Sequence, residues 1–140
     1  MGNLPAVIAG ETPSSCTYAS ARGLASLGSV MARKGAGLMR ESTWLELHSS
    51  PTCEVEPTFG ARTTYTKGGL HKYSQDKKTA FNPEYYLPGI SDYVESQLNR
   101  DRVGFFGWHG YGGSVFQWHP ELEISFAYVP SDLVPTDHLN

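Results

Sequence analysis

Cysteine is scarce in this chain. Only Cys16 and Cys53 occur, they form no C-x-x-C pair, and two thiols are too few for a disulfide scaffold. They leave the compartment undecided. A basic stripe is missing too: the eleven Lys and Arg are scattered singly or in pairs against fourteen Asp and Glu, for a net charge of −3. That distribution lacks the electrostatic footprint of a nucleic-acid partner. No apolar run approaches the roughly 20 residues of a membrane span, so no span is expected. The short apolar run in MGNLPAVIAG follows no basic residues and is interrupted by Pro5 and Gly10, which argues against a secretory leader. The same start meets only the first part of a myristoylation signal, because position 6 is Ala6.

Several catalytic and ligand motifs are also absent. There is no G-x-S-x-G nucleophile elbow. Gly110-Tyr111-Gly112-Gly113-Ser114-Val115 has Val115 where a dinucleotide fingerprint needs its third glycine, and no lysine follows as a phosphate loop requires. His48, His71, His109, His119 and His138 stand at neither H-x-H nor H-x-x-x-H spacing, and no cysteine or carboxylate completes a familiar ligand set. Metal and cofactor are therefore not expected.

What the chain does have is glycine, proline and aromatic side chains: 15 Gly, 9 Pro and 12% Phe, Trp and Tyr in 140 residues. That length and a 39% apolar content suit one loop-rich globular unit with no internal repeat. In residues 20–34, Ala21, Leu24, Leu27, Val30 and Met31 recur at spacings of three and four, the stripe of an amphipathic helix. Ser20 suits its N-cap, Arg33 and Lys34 its negative end, and Gly35 with Gly37 a left-handed stop. A shorter helix is expected from Ser42, with Trp44 and Leu47 on one face and Pro51 ending it.

From Cys53 the pattern weakens: TFGARTTYTKGGLHKY, with β-prone Thr and Tyr bounded by Gly60 and Gly68-Gly69, reads as one strand, within a long polar excursion over about 60–100 that ends in a helical turn or two near SDYVESQLNRD. The last section carries the best strand signal, in VGFFGW (103–108), SVFQW (114–118) and LEISFAYV (122–129). In the third, Ile124, Phe126 and Tyr128 alternate with Glu123, Ser125 and Ala127, and the HPE turn before it makes an antiparallel hairpin.

Two triplets could line a groove, Lys67-Gly68-Gly69 and Trp108-His109-Gly110, and only the second borders a clear β segment. One Ser-x-x-Lys match exists, Ser74-Gln75-Asp76-Lys77. Its surroundings are polar and hold no apolar helix to bury the lysine, and an exposed lysine keeps its proton and cannot act as base.

Two blocks together carry a family resemblance. ETPSSCTYASARGLASLGSVM (Glu11 to Met31) resembles a loop and helix of serine β-lactamase-like proteins, roughly E-x-P-S-A-N-G-x-x-S/T-A-R-x-L-A. GFFGWHGYGGSVFQWHPELEISFAYVPSDL resembles that family's late hairpin, G-H-x-G-x-G-G-S-x-G-F-x-D-P-E followed by F-A-Y-V. The family comprises class C β-lactamases, penicillin-binding proteins and related esterases, and the likeness covers about residues 5–133.

The resemblance implies an α+β chain that is part of a β-lactamase/transpeptidase-like fold. Residues 1–140 would form one incomplete domain, with a helix at about 20–34 and a C-terminal antiparallel hairpin at about 103–129 packed against helices. It implies acyl-enzyme hydrolysis of an amide or ester by the full-length family. It also implies that Trp108, His109, Gly110 and Tyr111 line the substrate groove, with the Tyr111 N–H as an oxyanion donor. A second register, aligning His109 with the family's usual histidine and deleting one glycine, is equally simple.

In the family, the Ser-x-x-Lys nucleophile and the Tyr-x-Asn motif lie N-terminal to the segment that Glu11 begins here. The chain is therefore expected to be inactive alone and to meet a small amide or ester only beside the missing half. A noncatalytic binding module that keeps the groove strand is the alternative expectation.

Overall fold

The computed structural model describes residues 5–10, 17–56, 61–74, 101–110 and 112–131. They form three helices, α1 (Pro5–Ala9), α2 (Ala21–Ala32) and α3 (Glu41–His48), and five strands: β1 (Thr52–Glu56), β2 (Ala61–Tyr65), β3 (Phe106–His109), β4 (Val115–His119) and β5 (Ile124–Tyr128). β1 and β2 make one antiparallel hairpin, and β3, β4 and β5 make an antiparallel sheet in that order. The class is α+β with two antiparallel sheets.

α2 begins as its sequence dictates: the Ser20 hydroxyl accepts the Gly23 N–H at 3.1 Å. It ends two residues earlier than expected. Lys34 takes the left-handed position (φ 55°) that glycine usually fills, and the following Gly35 N–H reaches back to the Val30 carbonyl at 2.9 Å. Gly35 and Gly37, also at positive φ, then turn the chain toward α3.

The buried side of α2 differs from the expected stripe. Gly28, Met31 and Ala32 face inward, whereas Leu27 is 42% exposed. Gly28 lets the helix settle onto the sheet, because a Cβ there would stand 2.8 Å from Ser125 Cβ and 3.2 Å from Phe116 Cε2. The Ser125 hydroxyl completes the contact by donating to the Ala25 carbonyl at 2.8 Å. A Gly28→Val variant is expected to lift α2 from β4 and β5 and lose about 1–3 kcal/mol of stability, read from the urea midpoint, since the overlap outweighs the better helix propensity of valine.

α3 carries Trp44 into the core, where its indole N–H donates to the Met31 carbonyl at 2.8 Å and ties the two helices together. The core is Met31, Ala32, Trp44, Phe106 and Trp118, with Met39, Leu70 and Phe116 at its margin. It lies between α2, α3 and the face of the three-stranded sheet bearing Phe106, Phe116 and Trp118.

The β4–β5 hairpin forms as expected, but its turn is the four residues Pro120–Glu123, so the last strand starts at Ile124 rather than 122. The one strand expected in TFGARTTYTKGGLHKY is β2, and the residues after it, to 74, form a run that bridges both sheets, through Tyr65 opposite His71 and Lys72 opposite Phe106, where the polar excursion was expected. The pairing of β1 with β2 was not expected either. The helical turn read near SDYVESQLNRD lies outside the described residues apart from Asp101.

Candidate functional site

The triplet Trp108-His109-Gly110 leads out of β3. Gly107, just before it, has φ 120°, and a Cβ there would run into the Phe116 carbonyl oxygen and stand 2.7 Å from Gln117 Cα. Glycine is needed at this point for β3 to lie close against β4. Beyond the strand, the Gly110 N–H donates to the Ser114 carbonyl at 2.6 Å and the Gly113 N–H to the Gly110 carbonyl at 3.2 Å. Those bonds make the glycine-rich run a closed turn between β3 and β4. Tyr111, the expected oxyanion donor, lies outside the described residues.

Around Trp108 the structure gathers side chains that the linear pattern did not connect. The Tyr65 ring lies nearly parallel to the Trp108 ring (centroids 6.3 Å, 21°), and His71 meets Trp108 edge-on at 4.5 Å. His71 also packs edge-on against Tyr73 at 4.7 Å, and His109 lies parallel to Trp108 at 5.1 Å. The Tyr73 hydroxyl and His109 Nδ1 are 3.4 Å apart. The cause of this gathering is the bridging run: the Tyr73 N–H donates to the Phe105 carbonyl and the Gly107 N–H to the His71 carbonyl, which lays residues 71–73 along β3. His71 and Tyr73 then project to the same side, two residues apart as in any strand.

The protonation states follow from this burial. Desolvation, with a smaller contribution from the nearby His109, lowers the His71 pKa to about 4 against the opposing hydrogen bond between Nδ1 and the Gly107 carbonyl. Burial likewise raises the pKa of Tyr73, which is 2% exposed, although the charge of Arg102 and its hydrogen bond act in the opposite direction. The Arg102 guanidinium stands 5.7 Å from the centre of the Tyr73 ring. At neutral pH His71 is therefore neutral and the Tyr73 phenol protonated, with the Arg102 cation beside it. The cluster offers an aromatic shelf with hydrogen-bonding groups.

A nucleophile paired with a base does not emerge among the described serines. Ser20 accepts from backbone, Ser49 and Ser125 donate to carbonyls, and Ser74 lies 3.2 Å from the Thr64 hydroxyl. Lys77, the partner in the Ser-x-x-Lys match, lies outside the described residues. The other triplet, Lys67-Gly68-Gly69, holds the end of α3: the Lys67 N–H donates to the Ser49 carbonyl, the Gly68 N–H to the Leu47 carbonyl, and Lys67 Nζ pairs with Glu46 at 2.7 Å. Its role is to close a turn under that helix. Among the described residues no three His, Cys, Asp or Glu side chains gather as a metal site, and no helix is long and apolar enough to cross a membrane.

Two surface clefts, of about 440 and 530 Å³, border the end of α2 and the connection to α3, and neither includes the Trp108 shelf. No protein-family model, curated protein or solved structure matches the chain.

Proposed function

We propose that this chain forms the groove-wall portion of a β-lactamase-like serine hydrolase domain and does not hydrolyse amides or esters by itself. The observation that carries the reading is the placement of Trp108-His109-Gly110. The triplet ends β3, which has β4 on one side and residues 71–73 along the other, with α2 packed on β4 and β5, and the chain order agrees with that of the family the two sequence blocks resemble. The nucleophile and base come from a Ser-x-x-Lys and a Tyr-x-Asn segment N-terminal to this region. The β3 end then borders the carbonyl under attack, and the Tyr111 N–H is one of the donors to the developing oxyanion.

Nitrocefin and p-nitrophenyl esters are expected to show no turnover above background with the isolated chain, and a fluorophosphonate probe is expected to leave it unlabelled. Turnover that disappears in Ser74→Ala would overturn this reading and restore the Ser74–Lys77 pair as a catalytic site.

The Trp108, Tyr65 and His71 shelf favours one alternative, a noncatalytic module that binds a small ring-bearing ligand. Saturable binding weakened by Trp108→Ala, with no covalent labelling, distinguishes it.

A further inference from the structure

Among the described residues β5 pairs with β4 alone, so it is an edge of its sheet. The direction of its backbone groups follows from β3. The Gly107 N–H points away from β4 to the His71 carbonyl, so the even-numbered residues of β3 face β4, and the Gly110 N–H accordingly reaches Ser114. In the observed register, Phe106 faces Trp118 and Trp108 faces Phe116, which leaves Val115, Gln117 and His119 facing Tyr128, Phe126 and Ile124. The backbone N–H and C=O groups of Ser125 and Ala127 therefore point outward from the sheet edge.

The side chains on this edge are apolar and wet. Ile124, Phe126 and Tyr128 lie on the face away from α2 and are 47%, 51% and 50% exposed. No charge and no proline interrupts ISFAY, the usual guards of an exposed edge. With Leu122 and Val129, also exposed, they leave on the order of 500 Å² of apolar surface in water.

We propose that β5 pairs antiparallel with β5 of a second copy of this chain, about a two-fold axis at Phe126. The segment is self-complementary in that register. Phe126 meets Phe126, Ile124 meets Tyr128, and Ser125 and Ala127 exchange the outward backbone hydrogen bonds at both ends. Glu123 then lies opposite Val129 and Glu121 opposite Ser131, so no like charges meet.

Charge also favours the antiparallel sense. α2 runs antiparallel to β5, with Ala25 and Gly28 over Ser125 and Arg33 beside Glu123 in one cleft. The exposed Arg22 thus marks the Tyr128 end, which the antiparallel arrangement brings toward the acidic Glu121–Glu123 turn of the other copy. Pairing edge to edge covers the flanks of these side chains and satisfies the outward backbone groups while the open face of the joined sheet stays in water, so the contact is smaller than a standard specific interface and the dimer is expected to be weak. The inference concerns the chain as it stands and is independent of the hydrolase reading.

The test is sedimentation of the full chain across a concentration series, together with cysteine trapping in a Cys16→Ser, Cys53→Ser background. A concentration-dependent dimer is expected, weakened at least about tenfold by Phe126→Lys. Ala127→Pro is expected to weaken it as well, because it removes an outward N–H while sparing the β4 ladder, and near-UV circular dichroism checks that both variants remain folded. Phe126→Cys should form a disulfide dimer in glutathione buffer. Ile124→Cys should not do so alone but should cross-link when mixed with Tyr128→Cys, because only Phe126 faces its own copy. A chain that stays monomeric throughout overturns the proposal. So does a dimer that folded Phe126→Lys and Ala127→Pro leave intact, or cross-linking of Ile124→Cys alone as efficient as that of Phe126→Cys.

Discussion

Trp118→Ala is expected to bring the protein to the verge of unfolding at 25 °C. Trp118 is 3% exposed, packs with Met31, Trp44 and Phe106, and donates its indole N–H to His48 Nε2 at 3.1 Å. Emptying such a site costs about 3–5 kcal/mol, a large share of the roughly 5–15 kcal/mol of a typical domain. The small core places this chain toward the lower end of that range. The truncation also removes the one donor that satisfies His48 Nε2, while the Nδ1–H of that ring stays on the Trp44 carbonyl at 2.8 Å. Trp118→Phe keeps most of the volume and loses the hydrogen bond, so it is expected to cost less, about 1–2 kcal/mol. Urea unfolding followed by near-UV circular dichroism separates the two. A Trp118→Ala protein that unfolds cooperatively within about 1 kcal/mol of the parent would contradict this account of the core.

Acidification is expected to destabilise the chain between about pH 6.5 and pH 4. Both partners of His48 fix its state: an indole can only donate, so Nε2 must accept, and Nδ1 carries the proton given to the Trp44 carbonyl. Burial lowers the His48 pKa, with the Trp44 hydrogen bond opposing, and burial lowers that of His71 to about 4. A histidine in the unfolded chain titrates near 6.5.

Above that pH both rings are neutral in either state and the stability is fully present. As pH falls below 6.5 the unfolded chain takes up protons that the folded chain refuses, and stability drains until His71 itself protonates near 4. His71 alone accounts for about 2–3 kcal/mol, allowing for its partial exposure. Glu46, whose pKa its hydrogen bond and ion pair with Lys67 lower, acts in a lower window and is exposed. Urea midpoints at pH 7.5 and pH 4.5 should differ, and His71→Gln should flatten part of the slope. Equal midpoints for the parent at the two pH values would contradict the burial of neutral imidazole.

The parts of this fold that were legible in the sequence are those set by near neighbours. Ser20 caps α2 because the cap requires only the next turn of chain, and the β4–β5 hairpin follows from alternation and a short turn. The buried face of α2 was misread at Leu27, because periodicity alone does not reveal that Gly28 lets the helix approach Ser125 and Phe116.

Longer-range contacts left little trace. The Trp118–His48 bond spans seventy residues, and the pairing of residues 71–73 with β3 crosses more than thirty. The site divides along the same line. Trp108, His109 and Gly110 were found beside a strong strand signal, whereas Tyr65, His71, Tyr73 and Arg102 joined them only through folding. The His-Lys-Tyr alternation at 71–73 was the available signal, since a strand there would place His71 and Tyr73 on one side.

The central claim is that this chain forms the wall of an active site whose nucleophile lies N-terminal to it. Mapping the 5′ end of the transcript tests that most directly. The groove-wall reading predicts an in-frame extension before Met1 that encodes a Ser-x-x-Lys and a Tyr-x-Asn motif, and an extended protein that reacts with a fluorophosphonate probe at that serine. A transcript with an in-frame stop just before Met1, translated into the 140-residue chain alone, would contradict it.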